Sequence, residues 1–233
     1  MSNRKTLGLP EKLAAIGILA ASSPLTKKDI DLTDIEDTLV EAAIEITKRD
    51  GSGFWLLSPV LSWIKEHGTS VIIEKLIKIA KARAKSARED VSALSLFGSF
   101  ADSCGHKRWH KLQVFAPARK KQPRTLGHDD LAISLVHIRG EEPWAKGSGF
   151  LVPKGSTEIN SKWILSRESL AKLNRQYRNR LIYGAQWRAD IVTAIENGAK
   201  TPTEASRMSG ASYEPCHRVM RELETAGVIK IAS

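Results

Sequence analysis

The chain has 233 residues and a mass of 25.7 kDa. With 42% hydrophobic and 27% charged residues it carries enough apolar surface to offset the entropy of ordering a backbone, which excludes collagen-like, mucin-like and wholly disordered chains. The formal net charge of +10 sits in one place: residues 1–103 and 185–233 are each balanced, whereas 104–184 hold sixteen basic and six acidic side chains. Such a segment points to an anionic partner, nucleic acid first, against the plainer reading of a solvated basic loop. The longest apolar runs, 13–21 and 54–61, are shorter than the roughly 20 residues that cross a bilayer. Lys12 and Pro10-Glu11 interrupt the apolar start, and two cysteines do not make an exported disulfide framework, so a cytoplasmic protein with no membrane contact is expected.

The N-terminal half predicts helices. Asp34 can cap a helix IEDTLVEAAIEITKR with Ile35, Leu39, Ala42, Ala43 and Ile46 on one face and Lys48-Arg49 at its end. PVLSWIKEH, with Pro59 in the first turn, predicts a second that Gly68 stops; Thr69 or Ser70 can cap a third, VIIEKLIKIAKARAKSA. Leu94, Phe97, Ala101 and Cys104 share one face of a fourth, with Gly105 after its end. The apolar faces around Ile35–Ile46 and Val71–Ala80 are expected to pair two copies of the chain. Residues 116–130, APARKKQPRTLGHDD, have the composition of a linker or loop. After it LAISLVHI, GSGFLVP and SKWILS predict short strands, and SLAKLNRQYRNRLIYG a helix.

Catalytic and metal-binding patterns are weak. Gly98-Ser99 suggests a nucleotidyltransferase strand, but the residues about ten positions later, His110 to Val114, include no paired carboxylates to hold magnesium. Cys104, His106 and His110 are zinc-ligand types without a recognised spacing. No nucleophile elbow or phosphate-binding glycine loop is present, so no enzyme, metal or cofactor is expected.

The last 47 residues carry the sharpest punctuation. Trp187–Glu196 predicts a helix ended by Asn197-Gly198. Thr201 caps a second helix with Pro202 at its first position and Glu204 completing a capping box. Gly210 makes a turn, Ser212 caps a third helix from Tyr213 to Ala226, and Gly227 ends it before VIKI. This pattern resembles the winged helix-turn-helix transcriptional regulators, matching their T-x-x-E-A helix, G-x-S turn and recognition helix at Thr201, Glu204, Ala205, Gly210, Ser212, Cys216, Arg218, Met220, Leu223, Gly227 and Ile229. The preceding RNRLIYGAQWRADIV is similar to the DNA-binding modules of abortive-infection antitoxins. Only four residues follow Ile229, so the wing is expected to be short or completed from elsewhere.

Periodicity and composition predict a mainly α fold with a small β component: a helical domain over 1–115, a basic linker over 116–130, and a small sheet and basic helix over 131–184; the resemblance makes 185–233 a winged helix-turn-helix. It implies a transcriptional regulator reading double-stranded DNA in the major groove, and the two-fold symmetry of palindromic operators predicts a homodimer. Tyr213, Glu214, His217, Arg218 and Arg221 would face bases. Thr201, Thr203, Arg207 and Ser212, with Ser206 beside them and Lys120, Lys121, Arg175 and Arg178 from the basic segment, would hold phosphates. The alternative is an antitoxin or defence-complex subunit that covers a protein partner with its helical half.

Overall fold

In the computed structural model, residues 7–19, 25–48, 50–117, 124–126 and 129–228 are described. The fold is mainly helical, and its core is organised around α3 (Ile35–Ile46), whose start is set by the Asp34 carboxylate accepting the Asp37 N–H at 3.0 Å. Ile35, Leu39, Val40, Ala42, Ala43 and Ile46 are all buried, so α3 is apolar on most of its circumference and is covered by its neighbours α1 (Leu9–Ala15), α4 (Leu57–His67), α5 (Ile73–Ser86) and α6 (Ala93–Ser103). The expected pairing surface is therefore absent: the apolar sides of α3 and of Val71 to Ala80 are spent on this chain's own core. Arg49 lies outside the described residues.

α6 places Gly98-Ser99 in mid-helix, not at the end of a strand. Glycine is needed there because a Cβ would lie 2.8 Å from the Trp109 carbonyl oxygen, in the 3-10 stretch Lys107–Phe115 that packs across α6. The start of α5 also differs from expectation. Neither Thr69 nor Ser70 caps it; the Ile72 N–H is taken instead by a carboxylate oxygen of Glu36, on α3, at 2.8 Å.

The middle of the chain departs most from its sequence pattern. LAISLVHI lies in a helix, α7 (Asp129–Arg139), with Asp130 in its first turn and His137 and Arg139 in its last, where they complement the helix dipole. Alternation over so short a run fits either period, and the strands available to extend, β1 (Arg124–Thr125) and β2 (Phe150–Leu151), are a two-residue parallel pair. SKWILS forms a 3-10 turn and one antiparallel bridge, Ile18 to Ile164. Ala145, Phe150, Val152, Leu170 and Tyr177 are buried in the same core as α3, α4 and α6, so this part of 131–184 belongs to the helical body, and Leu126 of 116–130 is buried with them.

The expected basic helix is two: α8 (Arg167–Leu173) and α9 (Arg175–Tyr183). Asn174 breaks them apart because its Oδ1 accepts the Tyr177 N–H at 2.8 Å while its Nδ2 donates to the Ala15 carbonyl at 3.0 Å. Tyr177 in turn reaches α4. His67 Nε2–H donates to the Leu165 carbonyl at 2.9 Å, which leaves Nδ1 to accept the Tyr177 hydroxyl at 2.8 Å. Burial holds this imidazole below its ordinary value of 6.5. The unfolded chain takes up the proton more readily, so the stability this group contributes is present above 6.5 and lost as pH falls below it. The urea midpoint is expected to drop between about pH 7.5 and 5.5, and to drop less in His67→Gln.

Candidate functional site

The last described helices, α10 (Trp187–Glu196), α11 (Pro202–Ser209) and α12 (Tyr213–Thr225), pack around a small core of their own: Ile191, Val192, Ala194, Ala205, Cys216, Val219 and Met220. The punctuation read from the sequence forms as expected at α11. Thr201 Oγ1 accepts the Glu204 N–H at 3.2 Å, and the Glu204 carboxylate accepts the Thr201 and Lys200 N–H groups at 3.3 and 2.8 Å. Those amides hold the Glu204 carboxyl below its usual range. Gly210 turns the chain at φ 76°, a left-handed conformation that a side chain would strain. Ser206 does not face outward as expected; its hydroxyl donates to the Ala211 carbonyl at 2.7 Å and ties the turn down. Ser212 has extended backbone at the start of α12, but its side chain makes no capping hydrogen bond.

α12 has two unlike faces. Cys216, Val219 and Met220 are buried, with Leu223 packed beside them. On the other side Tyr213, Glu214, Arg218 and Arg221 are exposed and His217 is half-buried. The Tyr213 and His217 rings stack at 5.9 Å with an interplanar angle of 18°, one turn apart on this face. Among the described residues neither Arg218 nor Arg221 makes an ion pair, and on α11 the same holds for Arg207, exposed with Thr203. Val228 is exposed; Ile229 and the rest of the expected wing lie outside the described residues.

Arg175 and Arg178, grouped with phosphate contacts on sequence, are engaged inside the chain. Arg175 donates to the Glu196 carbonyl and the Asn197 side chain, both at 2.7 Å, and pairs with Asp31 at the end of α2 (Lys27–Asp31). Arg178 pairs with Glu196 at 3.0 Å. They brace the end of α10. Lys120 and Lys121 lie outside the described residues.

The same holds more widely for the basic segment. Among the described residues nine of its cations make ion pairs: Lys107, Arg108, Lys111, Arg124, Arg167, Lys172, Arg175, Arg178 and Arg180. Apart from Glu168, which pairs with Lys172, the acids come from the two balanced segments, including Glu66, Glu74, Asp90 and Glu196. These cations of the basic segment are thus spent on acids from elsewhere in the same chain, while Arg139, Lys146, Lys154 and Lys162 are exposed and make no ion pair among the described residues.

Arg180 is the deepest of these. Wholly buried, it forks onto two carboxylates: Nη1 and Nη2 donate to Glu36 at 2.6 and 2.7 Å, Nε and Nη2 to Asp190 at 2.9 Å each, and Nη1 also to the Ser70 carbonyl at 2.9 Å. Lys75 of α5 bridges Asp190 and Asp34. Burial alone would raise the Asp34 carboxyl, but Lys75 and Arg180 outweigh it and lower it to about 2. At Glu36 burial wins and pushes the carboxyl up, against the pull of Arg180 and Lys75. Asp34, Glu36 and Asp190 converge closely enough to suggest a metal site, but the two cationic side chains already fill the space between them. This cluster joins α3, α5, α9 and α10, and so fixes how the three-helix unit sits on the body.

One further contact was invisible in sequence order. Lys78 of α5 donates to the Gly210 carbonyl at 2.9 Å and stands 5.7 Å from the centre of the Trp187 ring. The partners are 132 positions apart, and the sequence showed only a helix with basic residues toward its end.

No family model matches the sequence, and no curated protein or solved structure matches the chain.

Proposed function

We propose that this chain binds double-stranded DNA and regulates transcription, with α10–α12 as a helix-turn-helix unit that presents α12 to the major groove. The observation that carries this reading is the outer face of α12, where stacked Tyr213 and His217 and two arginines without an ion pair among the described residues, Arg218 and Arg221, lie away from a sealed apolar face. An α-helix fits the major groove, and an arginine can bridge the acceptors of a guanine edge. Thr203 and Arg207 of α11, with Ser212 at the start of α12, are exposed on the neighbouring turns and would meet phosphates. A homodimer remains part of the proposal, on surfaces other than the buried faces of α3 and α5.

The test is binding of the purified protein to a duplex of its own upstream sequence and to a scrambled duplex, at about 50 and 200 mM salt. Selective binding that persists at the higher salt is the expected result. Unselective binding that disappears between the two salts would overturn it.

A second reading, a protein-binding antitoxin or defence-complex subunit, is favoured by α7. Its Leu131 and Ile138 are 59% and 78% exposed, and it overlies an apolar cavity of about 180 Å³ lined by Phe54, Leu126, Leu135 and Val152. On that reading the contact surface is α7, not the N-terminal helices, and a toxin or nuclease encoded next to this gene would co-purify through it.

A further inference from the structure

Lys78, Lys81 and Lys85 recur at i, i+3 and i+7 along α5, within about 60° of one line on the helix. All three are exposed. Of the cations around them, Lys75 is committed to the buried cluster and Arg83, on an adjoining face, to Asp37, Glu41 and Glu89, while Arg88, three residues beyond Lys85, is exposed and makes no ion pair among the described residues. Glu74 falls on the same line as the stripe, and its carboxylate is held between Arg108 at 2.8 Å and Lys111 at 2.9 Å. Lys81 and Lys85 make no ion pair among the described residues. With nine cations of the basic segment paired internally among the described residues, this stripe is an uncompensated positive line on the described surface.

Its position gives it a partner. Lys78 is bonded to the carbonyl of Gly210, the turn residue that delivers α12, so the stripe begins at the three-helix unit and runs on from it for about 10 Å. One strand of a duplex advances about 3.4 Å per phosphate along the axis, so that length matches about three phosphates. Lysine suits them, since an ammonium on a flexible stem neutralises a phosphate without demanding a fixed geometry.

We infer that Lys81 and Lys85 bind the phosphate backbone of the same duplex that α12 reads, flanking the bases α12 faces. The inference rests on the DNA-binding reading of α12. It moves part of the electrostatic anchor from the basic segment to a helix whose own segment has no net charge.

The experiment compares the native protein, the Lys81→Gln/Lys85→Gln variant and the Arg218→Ala variant on the upstream and scrambled duplexes across a salt series. Both lysines are exposed, and an unchanged urea midpoint checks that the double variant folds. The double variant is expected to weaken on both duplexes by the same factor, leaving selectivity intact, and to flatten the slope of log K against log salt by about 1.8, at roughly 0.9 per phosphate contact. Unchanged affinity and slope in the double variant, with selectivity still lost in Arg218→Ala, would overturn the stripe and leave the reading of α12 standing. A native protein that binds neither duplex would overturn both. A loss seen on anionic vesicles and not on DNA would also overturn it, and would assign the stripe to a lipid surface.

Discussion

Arg180→Met is expected to destabilise the protein by about 3–5 kcal/mol, read as a fall in the urea midpoint. The guanidinium has no exposure to solvent and makes five hydrogen bonds, four of them to the carboxylates of Glu36 and Asp190. Its removal leaves Lys75 as the one cation among three acids, with Glu36 keeping only a backbone N–H and a Lys75 contact at 3.5 Å. The cost comes from the buried charge left behind, so adding Glu36→Gln should recover part of it, and the two substitutions should be non-additive. The pH dependence has a defined sign. Glu36 already titrates above its ordinary 4.5 and Arg180 opposes that rise, so the variant raises it further. A carboxyl raised in the folded state favours folding below 4.5 and loses that contribution as pH rises through its folded value. The gap between variant and native protein should therefore be widest near neutral pH and narrow toward about pH 5. A gap that is constant with pH would mean that lost packing, not buried charge, sets the cost.

Arg218→Ala is expected to reduce the preference for the upstream duplex over the scrambled one by about 5- to 150-fold, corresponding to about 1–3 kcal/mol for one bidentate base contact. Arg218 is exposed and unpaired among the described residues, next to His217 on the face opposite Val219 and Met220, so the substitution removes no packing and the stability from urea unfolding should stay within about 0.5 kcal/mol of native. Binding to the scrambled duplex should change much less than binding to the upstream one. Equal losses on both would assign Arg218 to phosphate and move base reading elsewhere on α12.

The C-terminal unit was the most legible part of the chain because its signals are local. A capping box closes within four residues, and a left-handed glycine between two helices is required by the backbone itself, so Thr201, Glu204 and Gly210 could be read without knowing what surrounds them. The same holds for the Asp34 cap and for the apolar face of α3. Local signals failed where two periods compete over a few residues, as in LAISLVHI, and where a side chain reaches across the fold, as when Glu36 accepts the Ile72 N–H ahead of α5, which neither Thr69 nor Ser70 caps. They failed again at Asn174, whose hydrogen bond to Ala15 has no trace in local sequence.

Charge marks the boundary between the two kinds of knowledge. Composition and periodicity determined that the chain folds, that it is mainly helical, and that its last helices form a capped unit with one polar face, because burial patterns and caps depend on neighbours within about two turns. Only the tertiary structure decided which charges remain unpaired. A Coulomb interaction depends on distance in space, so Arg175, Arg178 and Arg180 are taken up by acids from other segments, while Lys81 and Lys85, unremarkable in a balanced stretch, are left facing solvent on α5.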